Sequence, residues 1–134
     1  MSLKRSAAIV YAVVSAGVVA FQLALSAGAP WGSFAMGGAF SGQFPPAMRV
    51  AAAVQALLIV FMSAVILSRA GVALPSWSRA SRWLVWLIVA LGTASLVMNL
   101  ATPSVGERMI WAPVAFVLLV CAVLVAVGKP APEV

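Results

Sequence analysis

Four long apolar runs constrain the fold more than any other feature of the sequence. Each is 19 to 22 residues long and carries no charge; they are Ser6–Ala27, Val50–Ser68, Trp83–Thr102 and Met109–Gly128. About 20 residues of α-helix cross the roughly 30 Å hydrocarbon core of a bilayer. The sequence therefore predicts an all-α, polytopic transmembrane four-helix bundle. We expect one transmembrane domain over residues 1–134, with helices at 6–27, 48–68, 80–101 and 105–128.

The composition agrees with a fold whose outer solvent is lipid. Hydrophobic residues make up 65% of the chain and charged residues 7%, against about 25% charged residues in soluble domains. The net charge of +6 comes from basic residues at the ends of the apolar runs. Nucleic-acid binding needs basic residues clustered on one face, so we exclude it. This distribution is typical of topology signals and of contacts with membrane lipid headgroups.

The chain offers few groups for catalysis or metal binding. It has no His and no Asp, its two carboxylates are Glu107 and Glu133, and Cys121 is its one cysteine. Paired carboxylates, His-based triads, His-rich or Asp-rich metal sites and disulfides within the chain are therefore excluded. We predict no enzyme, no metal and no cofactor, and keep an enzyme acting on lipid as a minor alternative.

The first apolar run has some features of a signal peptide, because Lys4 and Arg5 precede it and "SAGA" follows it. Its length exceeds the roughly 7 to 15 residues of a signal-peptide core. Cleavage after Ala29 would also place Pro30 beside the scissile bond. We expect a retained transmembrane helix.

The basic residues predict the orientation in the membrane. Four crossings leave six of them on one side and two, Arg49 and Arg108, on the other; the six are Lys4, Arg5, Arg69, Arg79, Arg82 and Lys129. Because cytoplasmic loops are enriched in Lys and Arg, both termini are predicted to be cytoplasmic in a cell inner membrane. The tryptophans are expected near the two interfaces.

Helix 1 carries small residues at every fourth position, namely Ala8, Ala12, Ala16, Ala20 and Ala24. Such a stripe rotates by 40° per step around a helix and favours close packing against a crossing neighbour. The partner is either another helix of this chain or a second copy, in which case helix 1 mediates a homo-oligomer.

Residues 28–47 form a different kind of segment between helices 1 and 2. They are rich in glycine, with Pro30, Pro45 and Pro46, and carry aromatic residues but no charge. Glycine and proline break helices, and unpaired amides in hydrocarbon are costly. We predict an extracytoplasmic cap over the outer end of the bundle. It is either an apolar loop resting in the headgroups or a lid over a binding cavity.

Polar side chains concentrate beneath this predicted cap. Gln22, Gln55 and Asn99 fall in the outer halves of helices 1, 2 and 3, and Arg49, Glu107 and Arg108 lie at the outer rim. Intramembrane polar residues are candidates for a functional site, although interhelical hydrogen bonding explains them equally well. With Trp31 and Trp111 as walls, the eight residues define a candidate ligand site.

Glu107 has three alternative interpretations. "SVGE" places Ser104 three residues before it, as in a capping box that starts helix 4. Alternatively, Glu107 pairs with Arg49 across the rim, or it is buried and acts as a proton acceptor.

The segments "GAPWG", "FPPAMRVAAAVQALL" and "ERMIWAP" resemble parts of an uncharacterised family of small four-helix bacterial integral membrane proteins. The resemblance covers most of the chain and implies that architecture and a bacterial inner membrane, but no activity. The chain does not resemble the small multidrug exporters, which need a Glu in helix 1, or the quinone-linked thiol oxidoreductases, which need cysteine pairs.

Two functions follow as hypotheses. In the first, the protein binds or transports a small amphipathic or anionic molecule at the outer site. In the second, it is an accessory or scaffold subunit that oligomerises through the small residues of helix 1.

Overall fold

The computed structural model describes residues 2–128 and is all-helical over that range. Four α-helices form it: α1 (Leu3–Ser26), α2 (Pro46–Arg69), α3 (Ser78–Ala101) and α4 (Val105–Val127). Each is long and apolar enough to cross a membrane, which confirms the predicted four-helix membrane protein. Three short 3-10 turns complete the structure, at Gly32–Phe34, Met36–Gly38 and Pro75–Trp77. Lys129 and Glu133 lie outside the described residues.

Residues at their N-termini explain where α1 and α2 begin. α1 already starts at Leu3, ahead of the predicted start at residue 6, because the Ser2 hydroxyl accepts a hydrogen bond from the Arg5 amide at 3.2 Å. Long basic side chains can extend toward the interface from inside a helix, so Lys4 and Arg5 do not delay the start. α2 begins at Pro46, where the missing amide hydrogen costs nothing.

The helices pack as a bundle in which α1 lies mainly against α2 and α3 mainly against α4. At one end, Lys4 Nζ lies 3.4 Å from the Gly128 carbonyl oxygen, and Arg5 Nη1 lies 3.4 Å from that of Gly71. We call this the basic end; its charged residues are Lys4, Arg5, Arg69, Arg79 and Arg82. The opposite end, which carries the cap residues, is the cap end.

Two buried clusters hold the bundle together. The larger cluster extends from the middle of the bundle toward the basic end and consists of Ala7, Ala8, Tyr11, Val65, Ile66, Ala70, Val85, Ile88, Cys121, Ala122 and Val125. The smaller one lies at the cap end and consists of Leu25, Ala35, Phe44 and Ala52. Many large apolar side chains point outward instead, for example Leu57 at 70% exposure. Such an outer surface suits lipid as the surrounding solvent.

The small residues of α1 spiral from the inside of the bundle to its outside. Ala8 is fully buried, whereas Ala16 and Ala20 are exposed. The 40° rotation per step accounts for this change, because a stripe with a four-residue period cannot stay on one face of a straight helix. A Cβ added at Gly17 would meet no atom within 4 Å. The exposed part of the stripe is therefore Ala16 and Ala20, and the exposed Gly17 lies next to Ala16.

Candidate functional site

The cap residues fold into a compact loop that closes on itself. The Gly32 amide donates to the Gly42 carbonyl oxygen at 2.9 Å, which joins the two arms of the loop. A Cβ at Gly32 would overlap the Phe40 carbonyl oxygen, so only glycine allows this approach. Phe44 is 2% exposed and packs in the cap-end cluster with Leu25 and Ala52. The last two residues of the predicted cap, 46 and 47, belong to α2.

Three hydrogen bonds attach the cap to the beginning of α4. The Gly37 amide donates to Glu107 Oε2, the Ser104 hydroxyl donates to the Ser33 carbonyl oxygen, and Trp111 Nε1 donates to that of Phe34, each at 2.8 Å. The Phe34 ring also fills the notch left by Gly106, where a Cβ would lie 2.6 Å from Cε1. The cap is thus a packed part of the bundle.

Glu107 uses its carboxylate to hold the cap. Besides the Gly37 amide, its Oε2 accepts a hydrogen bond from the Thr102 hydroxyl at 3.1 Å. The Glu107 amide donates to the Ser104 hydroxyl at 3.2 Å, which confirms Ser104 as the N-cap of α4. The return bond of a capping box is replaced, because the Ser104 amide donates to the Thr102 hydroxyl instead.

The two arginines of the cap end donate to backbone carbonyls. Arg49 donates from Nε to the Phe44 carbonyl oxygen at 2.9 Å, and its guanidinium lies across Gly28. Arg108 donates from Nη2 to the carbonyl oxygen of Thr102, the C-cap of α3, at 2.7 Å. Each arginine therefore fixes the end of a connecting segment, and the contacts found for Arg49 do not include Glu107.

Three aromatic rings meet where α1, the cap and α4 come together. The Phe21 ring stacks on Trp31 at 6.1 Å between centroids and lies 4.6 Å from the Trp111 centroid, tilted by 59°. Trp31 remains 46% exposed. Sequence reasoning missed Phe21, because an apolar residue within an apolar helix carries no distinguishing signal.

Two of the three intramembrane amides meet and the third does not join them. Gln22 Nε2 donates to Gln55 Oε1 at 2.9 Å, which links α1 to α2. Asn99 donates to the carbonyl oxygen of Ser95 in its own helix at 2.7 Å. The amides therefore form one interhelical contact and one local contact.

We expect the Gln22–Gln55 contact to stabilise the fold only slightly. Interhelical hydrogen bonds in membranes contribute about 0.6 kcal/mol on average. A double-mutant cycle with Gln22→Leu and Gln55→Leu, followed by denaturant unfolding in detergent, should return a coupling energy of about this size. A coupling energy near zero would show that the two amides do not meet.

One cavity inside the bundle lies away from the candidate residues. It measures 130 Å³ and is lined by all four helices, with Tyr11 and Ser15 on α1, Met62 on α2, Ser95 on α3 and Ala115 on α4 among its walls. Ser15 Oγ is buried and has no hydrogen-bond partner among residues 2–128. None of the eight candidate residues lines this cavity.

Comparisons of the chain with protein-family models, with curated proteins and with solved structures find no match in any of the three. Within residues 2–128 no group of three His, Cys, Asp or Glu side chains could hold a metal ion. The fold defines the class as a multi-pass helical membrane protein. The resemblance to the bacterial four-helix family stays a prediction.

Proposed function

We propose that this protein is a non-enzymatic accessory or scaffold subunit of the bacterial inner membrane that associates with other helices through the exposed small residues of α1. The supporting observation is that the polar groups of the cap end bond mainly to one another and to the cap backbone. Glu107, Trp111 and Arg49 each hold a cap residue by a hydrogen bond. Residues arranged in this way stabilise a rigid surface.

The proposed orientation places both termini in the cytoplasm and the cap outside. The basic end carries Lys4, Arg5, Arg69, Arg79 and Arg82, whereas the cap end carries Arg49 and Arg108. Excess Lys and Arg are retained on the cytoplasmic side during insertion.

The size of the interior argues against transport through a single chain. Sites for drug-sized molecules usually have volumes of about 300–1,000 Å³, and the cavity inside the bundle measures 130 Å³. A transport pathway would need more than one copy of the chain. Association between copies is therefore the property to test in that case as well.

The exposed small residues of α1 are the proposed contact surface. Ala16, Gly17 and Ala20 face outward, and nothing within 4 Å would meet a Cβ at Gly17. Small residues let two helix backbones approach closely, which strengthens van der Waals contacts in lipid. Either a second copy or another membrane protein can supply the facing helix.

Ala16→Leu should disperse the assembly, because the added side chain separates the two backbones. We expect cross-linking in native membranes or size-exclusion chromatography in mild detergent to show a smaller species. Ala94→Leu is the matched control, since Ala94 is also exposed but lies on α3. Equal behaviour of the two variants would contradict association through α1.

The second candidate function is binding of a small amphipathic or anionic molecule at the cap end. It is favoured by Trp31, which is 46% exposed, and by Arg49, whose hydrogen bond within residues 2–128 uses Nε and leaves its terminal nitrogens as donors. Arg49→Ala would then abolish binding of the small molecule while the assembly persists. The accessory role predicts the reverse: Ala16→Leu disperses the assembly and removes the function that depends on it, whereas Arg49→Ala leaves both intact.

A further inference from the structure

An open pocket lies at the basic end, between the end of α2 and the start of α3. It measures 550 Å³, and four residues line it: Arg69, Ser78, Arg79 and Arg82. The proposed accessory role does not involve this pocket. The pocket is separated from the cap by the length of the bundle.

The pocket concentrates positive charge, and no carboxylate of residues 2–128 lies at this end to balance it. Glu107 is the one carboxylate of residues 2–128 and lies at the opposite end. Arg69 Nε is buried and has no hydrogen-bond partner within those residues. Buried donors are nearly always paired, and three guanidinium groups lining one pocket repel one another. An anion with several acceptor oxygens would accept a hydrogen bond from Arg69 and reduce the repulsion between the guanidinium groups.

The first turn of α3 adds the side chain of Ser78 to the same pocket. α3 begins at Ser78 with no side-chain cap, and its first turn has no acidic residue. The Ser78 amide already donates to the Pro75 carbonyl oxygen of the preceding 3-10 turn, so the side chains supply the donors of the pocket. Arg79 and Arg82 are three residues apart, and Ser78 and Arg82 four apart, so all three share one face of the helix. Their side chains line the pocket together with Arg69.

The surroundings place this pocket at the level of lipid headgroups. Trp83 and Trp86 follow on α3 and are 70% and 50% exposed. The Arg82 guanidinium carbon lies 5.2 Å from the centre of the Trp83 ring. Exposed tryptophans mark the membrane interface, and basic pockets between helices at this depth suit phosphate-bearing headgroups.

We infer that the basic-end pocket binds a phosphate group, held by Arg69, Arg79 and Arg82 with the Ser78 hydroxyl. Arginine presents paired N–H donors that match phosphate oxygens. The phosphate belongs either to the headgroup of an anionic phospholipid or to a soluble phosphate compound.

Two probes separate these sources. Phosphatidylglycerol and phosphatidylcholine are added in turn to the full-length protein in detergent, and retained lipid is measured by native mass spectrometry. Inorganic phosphate is titrated in parallel while the thermal unfolding midpoint is recorded. Selective retention of phosphatidylglycerol with no response to phosphate identifies a lipid site. A raised midpoint with phosphate, together with displacement of phosphatidylglycerol, identifies a soluble phosphate ligand.

Arg79→Gln is the test variant and Arg5→Gln its control, because each removes one charge from an exposed arginine at the basic end. Hydrogen bonds to charged groups are stronger than those between neutral groups, so Arg79→Gln should weaken binding about tenfold more than Arg5→Gln. Equal effects of the two variants would overturn the inference. So would equal retention of the two lipids without a response to phosphate.

Discussion

Gly32→Ala is expected to release the cap while the four helices stay assembled. The added Cβ would overlap the carbonyl oxygen of Phe40 and lie 2.7 Å from that of Gly42. Both atoms belong to the backbone, so no side-chain rotation removes the clash. Overpacking usually costs about 1–3 kcal/mol, and a fixed backbone leads us to expect the upper end. The loss falls on the cap because Gly32 bonds within it.

Hydrogen exchange measured by mass spectrometry is the readout for this change. Peptides covering the cap should exchange faster in Gly32→Ala, while peptides from α2 and α3 stay protected. Gly17→Ala is the control, because a Cβ there meets nothing within 4 Å and alanine favours a helix interior. Unchanged protection of the cap in Gly32→Ala would show that the two arms of the loop do not approach as described.

Glu107→Ala is expected to lower the stability of the protein by about 3 kcal/mol, because hydrogen bonds to a charged group contribute about 1.5–3 kcal/mol each. Alanine removes the acceptor shared by the Gly37 amide and the Thr102 hydroxyl. It also leaves the Gly37 amide without the carboxylate to which it donates. Denaturant unfolding in detergent measures the loss.

Glu107→Gln distinguishes lost hydrogen bonds from lost charge. The amide oxygen of glutamine still accepts a hydrogen bond from Gly37, so its effect should be clearly smaller than that of alanine. If the two variants unfold alike, Glu107 does not hold the cap through the contacts described here. If neither changes stability, the carboxylate is free for another role, such as the proton acceptor considered from the sequence.

The four helices could be predicted from the sequence because a transmembrane span is a local property. Twenty apolar residues suffice to define a span whatever the rest of the chain does. The N-cap at Ser104 could be predicted for the same reason, since "SVGE" holds both partners. The ends of the helices were harder to predict, because α1 includes Lys4 and Arg5, which precede its predicted start at residue 6.

The contacts of the cap could not be predicted, because they join residues far apart in sequence. Glu107 contacts Gly37, and Gly106 provides the notch for Phe34. Arg49 was one expected partner of Glu107 on grounds of charge, yet a nearby backbone amide takes the carboxylate. Charge alone does not identify a partner when backbone donors compete for the same acceptor.

The two ends of the bundle differ in how their polar side chains are hydrogen-bonded. At the cap end, carboxylate, guanidinium and indole groups bond to backbone atoms of the connecting segments. At the basic end, Arg69 Nε has no partner among residues 2–128, and the pocket beside it is open. The polar groups of the cap end are therefore paired within the bundle, whereas the basic end keeps an unpaired donor at Arg69 among the described residues.

A disulfide trap tests most directly whether the cap is held against the start of α4. A Cβ at Gly38 would lie 3.5 Å from Ser104 Cβ, within the range of about 3.5–4.5 Å that disulfides require. In a Cys121→Ser background, Gly38→Cys combined with Ser104→Cys should form an intramolecular disulfide under mild oxidation. Alkylation and mass spectrometry should then find no free thiol.

Gly42→Cys combined with Ser104→Cys is the matched control. Gly42 shares the left-handed backbone of Gly38, with φ of +78° against +79°, but a Cβ there meets nothing within 4 Å. The account predicts rapid cross-linking of the first pair and two free thiols in the second. Equal rates for the two pairs, or no disulfide in either, would contradict it.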